Sequence, residues 1–168
     1  FVIWGGTGAG KTTLLAALLA AVPAGAQESK LVAGFGDWEA FEEKDGGKLV
    51  CYIGSAPQKS KGKYKKRGET YVLITHRPSE KSFGVVSVRA GYAFKKETEA
   101  TITIGKNSFR LFTDIGHAFA KDKKTDTALV KAMIWGANMV IRGTSSRGTK
   151  TTDTYSLKGV AASWKAIN

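Results

Sequence analysis

The residues best suited to chemistry lie at the start of the chain, in residues 5–12. They read Gly-Gly-Thr-Gly-Ala-Gly-Lys-Thr, which fits the phosphate-binding pattern G-x-x-x-x-G-K-[ST]. In such a loop the glycines let backbone N–H groups surround a phosphate, the lysine supplies a positive charge, and the threonine hydroxyl reaches a magnesium ion. Under this interpretation the ligand is ATP with Mg, and the binding residues are Gly5, Gly10, Lys11 and Thr12.

A phosphate loop needs a strand before it and a helix after it. The candidate strand is residues 1–4 (FVIW), and the candidate helix is the apolar residues 14–22. The segment resembles the Walker A loop of secretion-type ATPases. Such a domain also requires a parallel sheet with a strand that ends in a magnesium-binding aspartate. The one candidate strand, residues 110–114, lies far along the chain among antiparallel hairpins. A small nucleotide-binding protein is therefore the alternative function.

The same segment also fits an export signal. Lys11 is a basic flank, residues 14–22 form an apolar core of the right length, and Ala24-Gly25-Ala26 is a small-residue cleavage site. This interpretation predicts cleavage near Ala26 and a folded domain over residues 27–168. Three accounts of residues 1–26 stay open: a signal peptide, a junction between unrelated segments, and a remnant of an ATPase.

Composition predicts one basic domain. The 168 residues, 42% of them hydrophobic, suffice for a buried core, and 26 lysines and arginines against 14 acids give a formal net charge of +12. No apolar run reaches the roughly 18 to 20 residues of a spanning helix, so we expect no transmembrane segment in the processed chain. The charge indicates either an anionic partner, such as an envelope or host component, or a contribution to solubility.

The basic residues are densest in the polar residues 55–68, which we predict to be a loop. Six of them surround a single aromatic residue, Tyr64, and could bind an anionic partner: Lys59, Lys61, Lys63, Lys65, Lys66 and Arg67. The alternative is a solvated loop that protects a sheet edge. We predict no specific nucleic-acid partner, and salt-sensitive nucleic-acid binding through residues 59–67 stays open as a third function.

Beyond residue 28, short alternating segments separated by turn signals predict a mainly β fold. Hairpin-length connections favour an antiparallel sandwich, because parallel pairing needs long crossovers. The predicted strands are residues 35–43, 48–54, 70–76, 83–90, 100–104, 109–113, 138–142 and 151–157. Residues 122–135 predict a short helix on the sheet, capped by Thr125 or Asp126 and ended by Gly136, and residues 160–167 form a short amphipathic tail.

Candidate catalytic groups are sparse. His76 and His117 lack metal-ligand spacing, and Ser145 and Ser146 have no histidine nearby in sequence to act as a general base. We expect no catalytic residues, no metal and no cofactor. Asp153 is expected to pair with Arg147 and to stabilise a hairpin.

The C-terminal region carries the clearest resemblance to a known family. Residues 139–162 (MVIRGTSSRGTKTTDTYSLKGVAA) resemble the C-terminal signature of the invasion-associated locus B family, and Phe35-Gly36-Asp37-Trp38, residues 49–53 (LVCYI) and the helix agree in order. The resemblance covers about residues 30–168. It implies an exported Gram-negative protein of the periplasm or outer membrane, an immunoglobulin-like β-sandwich, a link to host-cell invasion, and no catalytic activity.

One departure from the family concerns Cys51, the single cysteine. Members often carry a second cysteine shortly after the tryptophan, where this chain has Glu-Ala-Phe-Glu-Glu at residues 39–43. The resemblance therefore leaves the family disulfide without one partner.

Overall fold

The structure is a computed structural model, and it describes residues 28–168. The predicted phosphate loop, apolar core and cleavage site lie outside the described residues. Within those residues, neither helix has the length and apolar character needed to cross a membrane.

Short strands make up most of the described chain. The strands are β1 Lys30–Phe35, β2 Trp38–Asp45, β3 Lys48–Ser55, β4 Lys59–Gly62, β5 Tyr71–Arg77, β6 Ser82–Arg89, β7 Ala100–Ile104, β8 Asn107–Asp114, β9 His117–Phe119, β10 Asn138–Thr144 and β11 Lys150–Ser156. A 3-10 turn spans Pro78–Glu80, and the helices are α1 Lys123–Trp135 and α2 Val160–Ala166.

The strands form one antiparallel sheet. Their hydrogen-bonded order is β1-β2-β3-β5-β6-β9-β8-β7-β10-β11-β4. Tight turns join many neighbours: Gly46 and Gly47, both with positive φ, lie between the paired residues Asp45 and Lys48. The predicted mainly β, antiparallel fold is confirmed.

The sheet folds back so that its two halves share one core. The main cluster combines Ile53 and Ile74 of one half with Ile102 and Tyr155 of the other, all of them fully buried. The buried Trp38 indole N–H donates to the Ser156 carbonyl oxygen at 2.9 Å, which ties β2 to β11. Alternating buried residues along the strands thus create an interior between the two halves.

The predicted strand over residues 35–43 is wrong in one respect, because a turn divides it. Gly36 has a φ of +61°, and a Cβ there would lie 2.6 Å from the Lys158 carbonyl oxygen. Asp37 N–H donates to that same oxygen at 3.0 Å. Gly159 approaches even more closely, and a Cβ there would overlap the Phe35 carbonyl oxygen. Two glycine turns therefore meet here, and residues 36–37 form the turn that separates β1 from β2.

Two further predictions need correction. Residues 55–68 are not entirely loop, because β4 pairs with β11, with Ser60 opposite Asp153. The cap of α1 is Asp122, whose Oδ1 accepts from Thr125 N–H at 2.7 Å, and the helix ends at Gly136 as predicted. Hydrogen bonds to Thr125 lower the pKa of the Asp122 carboxyl.

Candidate functional site: a basic groove beside β4 and β11

A groove of about 650 Å³ opens between the segment that follows β4 and the turn that joins β10 to β11. We call it the basic groove. Its lining residues are Lys63, Tyr64, Lys65, Lys66, Arg67, Tyr92, Ala93, Ser145, Ser146, Arg147, Thr149 and Thr151. The β4–β11 pairing brings the two walls together, because it aligns Gly62 with Thr151.

Backbone hydrogen bonds fix the turn that forms one wall. Ser145 N–H donates to the Thr149 carbonyl oxygen at 2.9 Å, and Gly148 N–H donates to the Ser145 oxygen at 2.8 Å. Ser146 N–H donates to the Ala93 oxygen at 2.7 Å, which fastens the turn to a neighbouring loop. The Ser145 hydroxyl oxygen accepts from Thr149 N–H at 3.2 Å. Arg147 is thereby held at the tip of a fixed turn.

A buried ion pair supports the floor of the groove. Arg67 Nη1 and Nη2 donate to Asp153 Oδ1 and Oδ2 at 2.7 and 2.6 Å, and Arg67 Nε donates to the Ala90 oxygen at 2.7 Å. The two charged side chains are only 6% and 5% exposed. Burial lowers the pKa of Arg67, but the hydrogen bonds and charge of Asp153 outweigh it and leave the pKa above its ordinary value. The predicted Arg147–Asp153 pair is wrong, because Arg67 occupies both carboxylate oxygens.

Two tyrosine rings flank the Arg67 guanidinium. Its central carbon lies 5.4 Å from the centroid of the Tyr64 ring and 5.1 Å from that of Tyr92. The Tyr92 hydroxyl shares a 2.7 Å hydrogen bond with Thr151. Tyr64 also lies against Gly62, where a Cβ would be 2.9 Å from the ring. These contacts hold both rings against Arg67, while Tyr64 remains 37% exposed.

The predicted anion-binding residues separate into three groups. Lys59 and Lys61 are exposed on β4, at the edge of the sheet, and do not line the groove. Lys63, Lys65 and Lys66 line it and are exposed. Arg67 lines it as well, with its charge paired to Asp153.

The missed residue of the site is Arg147, which faces the lysines from the opposite wall. Its turn, Gly-Thr-Ser-Ser-Arg-Gly-Thr, contains small polar residues that could have suggested a ligand loop. Nothing in the sequence placed it beside residues 63–66.

The groove is therefore positive and polar. None of its lining residues is acidic, and among its serines and threonines Ser146 is exposed, Thr149 is half-buried, and Ser145 and Thr151 are buried. Lysine and arginine provide charge, and hydroxyls provide hydrogen bonds of either direction. Such a lining can hold an anion that also carries neutral oxygen groups.

The histidines lie elsewhere. His76 is buried, its Nδ1 accepts from Gly84 N–H at 2.9 Å, and its ring meets that of Trp164 edge-on, with 4.7 Å between the centroids. His117 is half-buried in β9. No group of three histidine, cysteine or acidic side chains within residues 28–168 is arranged to hold a metal ion.

The cysteine is buried and free. The register pairs Cys51 with Glu42 across β2 and β3, and burial followed by the Glu42 charge raises the pKa of the thiol. A cysteine at position 42 would therefore lie directly across the strands from Cys51.

The comparisons with known proteins support the family seen in the sequence. Residues 38–168 match the family model described as "Invasion associated locus B (IalB) protein". Searches of curated proteins and of solved structures gave no match. The matched region includes β2 to β11, both helices and the whole basic groove. The chain belongs to the invasion associated locus B family.

Proposed function

We propose that this protein is an exported envelope protein that binds an acidic saccharide through the basic groove and catalyses no reaction. Its family membership indicates an invasion-associated envelope protein. The location that we propose is the periplasm or the outer membrane, reached after removal of residues 1–26. The acidic saccharide is a phosphorylated or sulfated glycan, from the bacterial envelope or from a host surface.

The observation that carries the proposal is the placement of cations on both walls. Lys63, Lys65 and Lys66 face Arg147 across a groove without acidic lining residues. Four cations around one concave surface attract a ligand with several negative charges, since a single charge would leave most of them unpaired. Their shared location also makes solubility alone a poor explanation.

The groove favours a saccharide over a nucleic acid for a structural reason. Single-stranded nucleic acids gain much of their affinity from bases stacked on aromatic rings. Here Tyr64, 37% exposed, is the one exposed aromatic ring among the lining residues, and Tyr92 is half-buried against Arg67 and Phe94, so the groove offers no run of rings for successive bases. The exposed Ser146 hydroxyl and the half-buried Thr149 hydroxyl line the groove instead, and they complement the hydroxyl groups of a sugar.

Calorimetric titration with oligosaccharides of defined charge tests the proposal. The probes are a phosphorylated oligosaccharide from bacterial lipopolysaccharide, its dephosphorylated form, and a sulfated heparin oligosaccharide. We expect saturable binding of a charged probe and none of the dephosphorylated one. Affinity should fall steeply as salt rises, because exposed cations dominate the interaction. The phosphorylated and sulfated arms distinguish an envelope ligand from a host ligand.

A matched pair of variants assigns the binding to the groove. Lys65→Gln with Arg147→Gln removes one cation from each wall, whereas Lys44→Gln with Lys48→Gln removes the same charge from an exposed hairpin. We expect the first pair to weaken binding by at least tenfold and the second to change it by less than twofold. Equal losses would mean that net charge, and not the groove, controls binding.

The export part of the proposal has its own test. N-terminal sequencing of the protein recovered from the periplasm or medium should begin at Gln27. A recovered protein that still carries residues before Gln27 would contradict the predicted cleavage.

A further inference from the structure

A second surface stands out because a large aromatic side chain lies in water. Trp135, the last residue of α1, is 82% exposed, more than any other large hydrophobic residue described. It borders a groove of about 680 Å³ between α1 and the β7–β8 hairpin. We call this surface the Trp135 patch and define it by Lys106, Phe109, Ala128, Lys131 and Trp135.

The local structure forces the tryptophan outward. The inner side of α1 is buried at Leu129 and Met133, which belong to the main core. After Trp135 the chain passes so close to β7 that a Cβ on Gly136 would lie 2.5 Å from Ile104 and 2.8 Å from Leu157. The helix end is thus fixed against the sheet, and Trp135 has no route into the core.

The exposed side of α1 has a regular composition. Lys124, Ala128, Lys131 and Trp135 recur at intervals of three and four residues, so they form one stripe along the helix, and all are exposed. Lys106, in the turn between β7 and β8, adds a third lysine beside the groove. None of the residues that line this groove is acidic.

We propose that the Trp135 patch docks on an anionic lipid surface. Tryptophan is favoured at the boundary between water and lipid, where its apolar ring and its N–H group are both satisfied. Lysines beside it are attracted to negatively charged headgroups. An apolar protein partner would explain Trp135 and Phe109 but not the lysines around them, whereas an anionic membrane explains both.

The patch is separate from the basic groove. Strand β10 connects the two: Asn138 at its start lines the patch, and Thr144 at its end pairs with Lys150 beside the groove turn. Six residue steps along a strand span roughly 20 Å. Lipid docking therefore does not require the saccharide site, and each proposal can fail alone.

Vesicle binding by the protein recovered after export tests the docking. The vesicles contain phosphatidylcholine alone or with 30% phosphatidylglycerol, and some carry brominated acyl chains that quench nearby tryptophans. We expect binding only to the anionic vesicles. Trp135→Ala should weaken it about tenfold, from the apolar area lost to the lipid. Lys106→Gln with Lys131→Gln should weaken it about twenty-fivefold, from about fivefold per lysine.

Two controls locate the effect. Ile115→Ser removes another highly exposed apolar side chain, 78% exposed, from a turn outside the patch, and should leave binding unchanged. Lys65→Gln with Arg147→Gln removes groove charge and should reduce vesicle binding less than the Lys106 and Lys131 pair does.

Quenching shows which tryptophan enters the lipid. The difference in quenching between the natural chain and Trp135→Phe reports Trp135 alone. Bound protein whose Trp135 is not quenched, or Trp135→Ala with unchanged affinity, would overturn the proposal. The same result would leave the saccharide site unaffected.

Discussion

The two ends of β10 both carry positive charge, but the setting of that charge differs. At the basic groove, lysines and Arg147 surround hydroxyl groups above a buried Arg67–Asp153 pair. At the Trp135 patch, lysines flank the exposed Trp135 and the half-buried Phe109, and none of the ion pairs found among the described residues joins two side chains of the patch. The net charge of +12 does not show this difference, because it is a sum over the whole chain. The neighbours of a cation, more than the number of cations, indicate the partner that it suits.

The largest expected effect comes from a substitution that removes the buried ion pair beneath the basic groove. Asp153→Ala leaves the Arg67 guanidinium buried without its partner, and a broken buried pair costs about 3 to 5 kcal/mol of unfolding free energy. Urea unfolding monitored by circular dichroism measures the loss.

Replacement of both partners is the control for that measurement. Arg67→Met with Asp153→Leu should be less destabilised than Asp153→Ala, because no uncompensated charge stays buried. A mild effect of Asp153→Ala, within about 0.5 kcal/mol of the natural chain, would show that the ion pair is not the support that the geometry indicates.

The contrast between local and distant contacts explains how much the sequence revealed. The β2–β3 and β7–β8 hairpins were predictable, because the turn-forming pairs Gly46-Gly47 and Gly105-Lys106 lie between strand-like segments only a hairpin apart. The helix was predictable from its period, although its cap was placed three or four residues too late. Strand β4 was not, because Lys-Ser-Lys-Gly lacks the β-branched and aromatic residues that mark strands.

The candidate site shows the same limit. Three lysines of the groove were found from their density in sequence, but Arg67 and Asp153 are 86 positions apart. Arg147 stands much nearer to Asp153 in sequence and was chosen as its partner for that reason. The true pairing depends on the β4–β11 register, which forms only when folding brings β4 beside β11.

A smaller effect concerns pH. Stability should depend on pH through His76. Burial lowers the pKa of His76, whose Nδ1 accepts from Gly84 N–H and whose Nε2 has no hydrogen-bond partner among the described residues. The unfolded chain then binds more protons, and stability is lost as the pH falls below the ordinary histidine pKa of 6.5.

The expected slope is at most about 1.4 kcal/mol per pH unit, measured by urea unfolding between pH 7.5 and 5.5. His76→Gln keeps an acceptor for Gly84 N–H but cannot titrate, so the slope should flatten. His117→Gln is the control; burial and then Arg89 lower the pKa of His117, but its half-exposed ring should matter less. An unchanged slope in His76→Gln would exclude His76 as the cause.

A still smaller effect is expected at the other end of β10. Trp135→Ala removes a side chain that is 82% exposed, so the free energy of unfolding should change by no more than about 0.5 kcal/mol. The same urea measurement as for Asp153→Ala applies. A loss of about 2 kcal/mol or more would mean that Trp135 stabilises the fold. The Trp135 patch would then support the fold as the Arg67–Asp153 pair does, instead of serving as a free surface.

The smallest effect is expected from Lys11→Ala, in the phosphate-loop motif. ATP is a polyanion, so the basic groove is expected to bind it weakly, with an affinity that falls with salt and does not require magnesium. Such binding should be unchanged in Lys11→Ala and lost in Lys65→Gln with Arg147→Gln. Nucleotide binding through the motif would show the reverse pattern: dependence on magnesium, loss in Lys11→Ala, and no change in the groove variant. Calorimetry with ATP in the presence and absence of magnesium therefore decides whether the chain has a third anion site or whether the groove accounts for all phosphate binding.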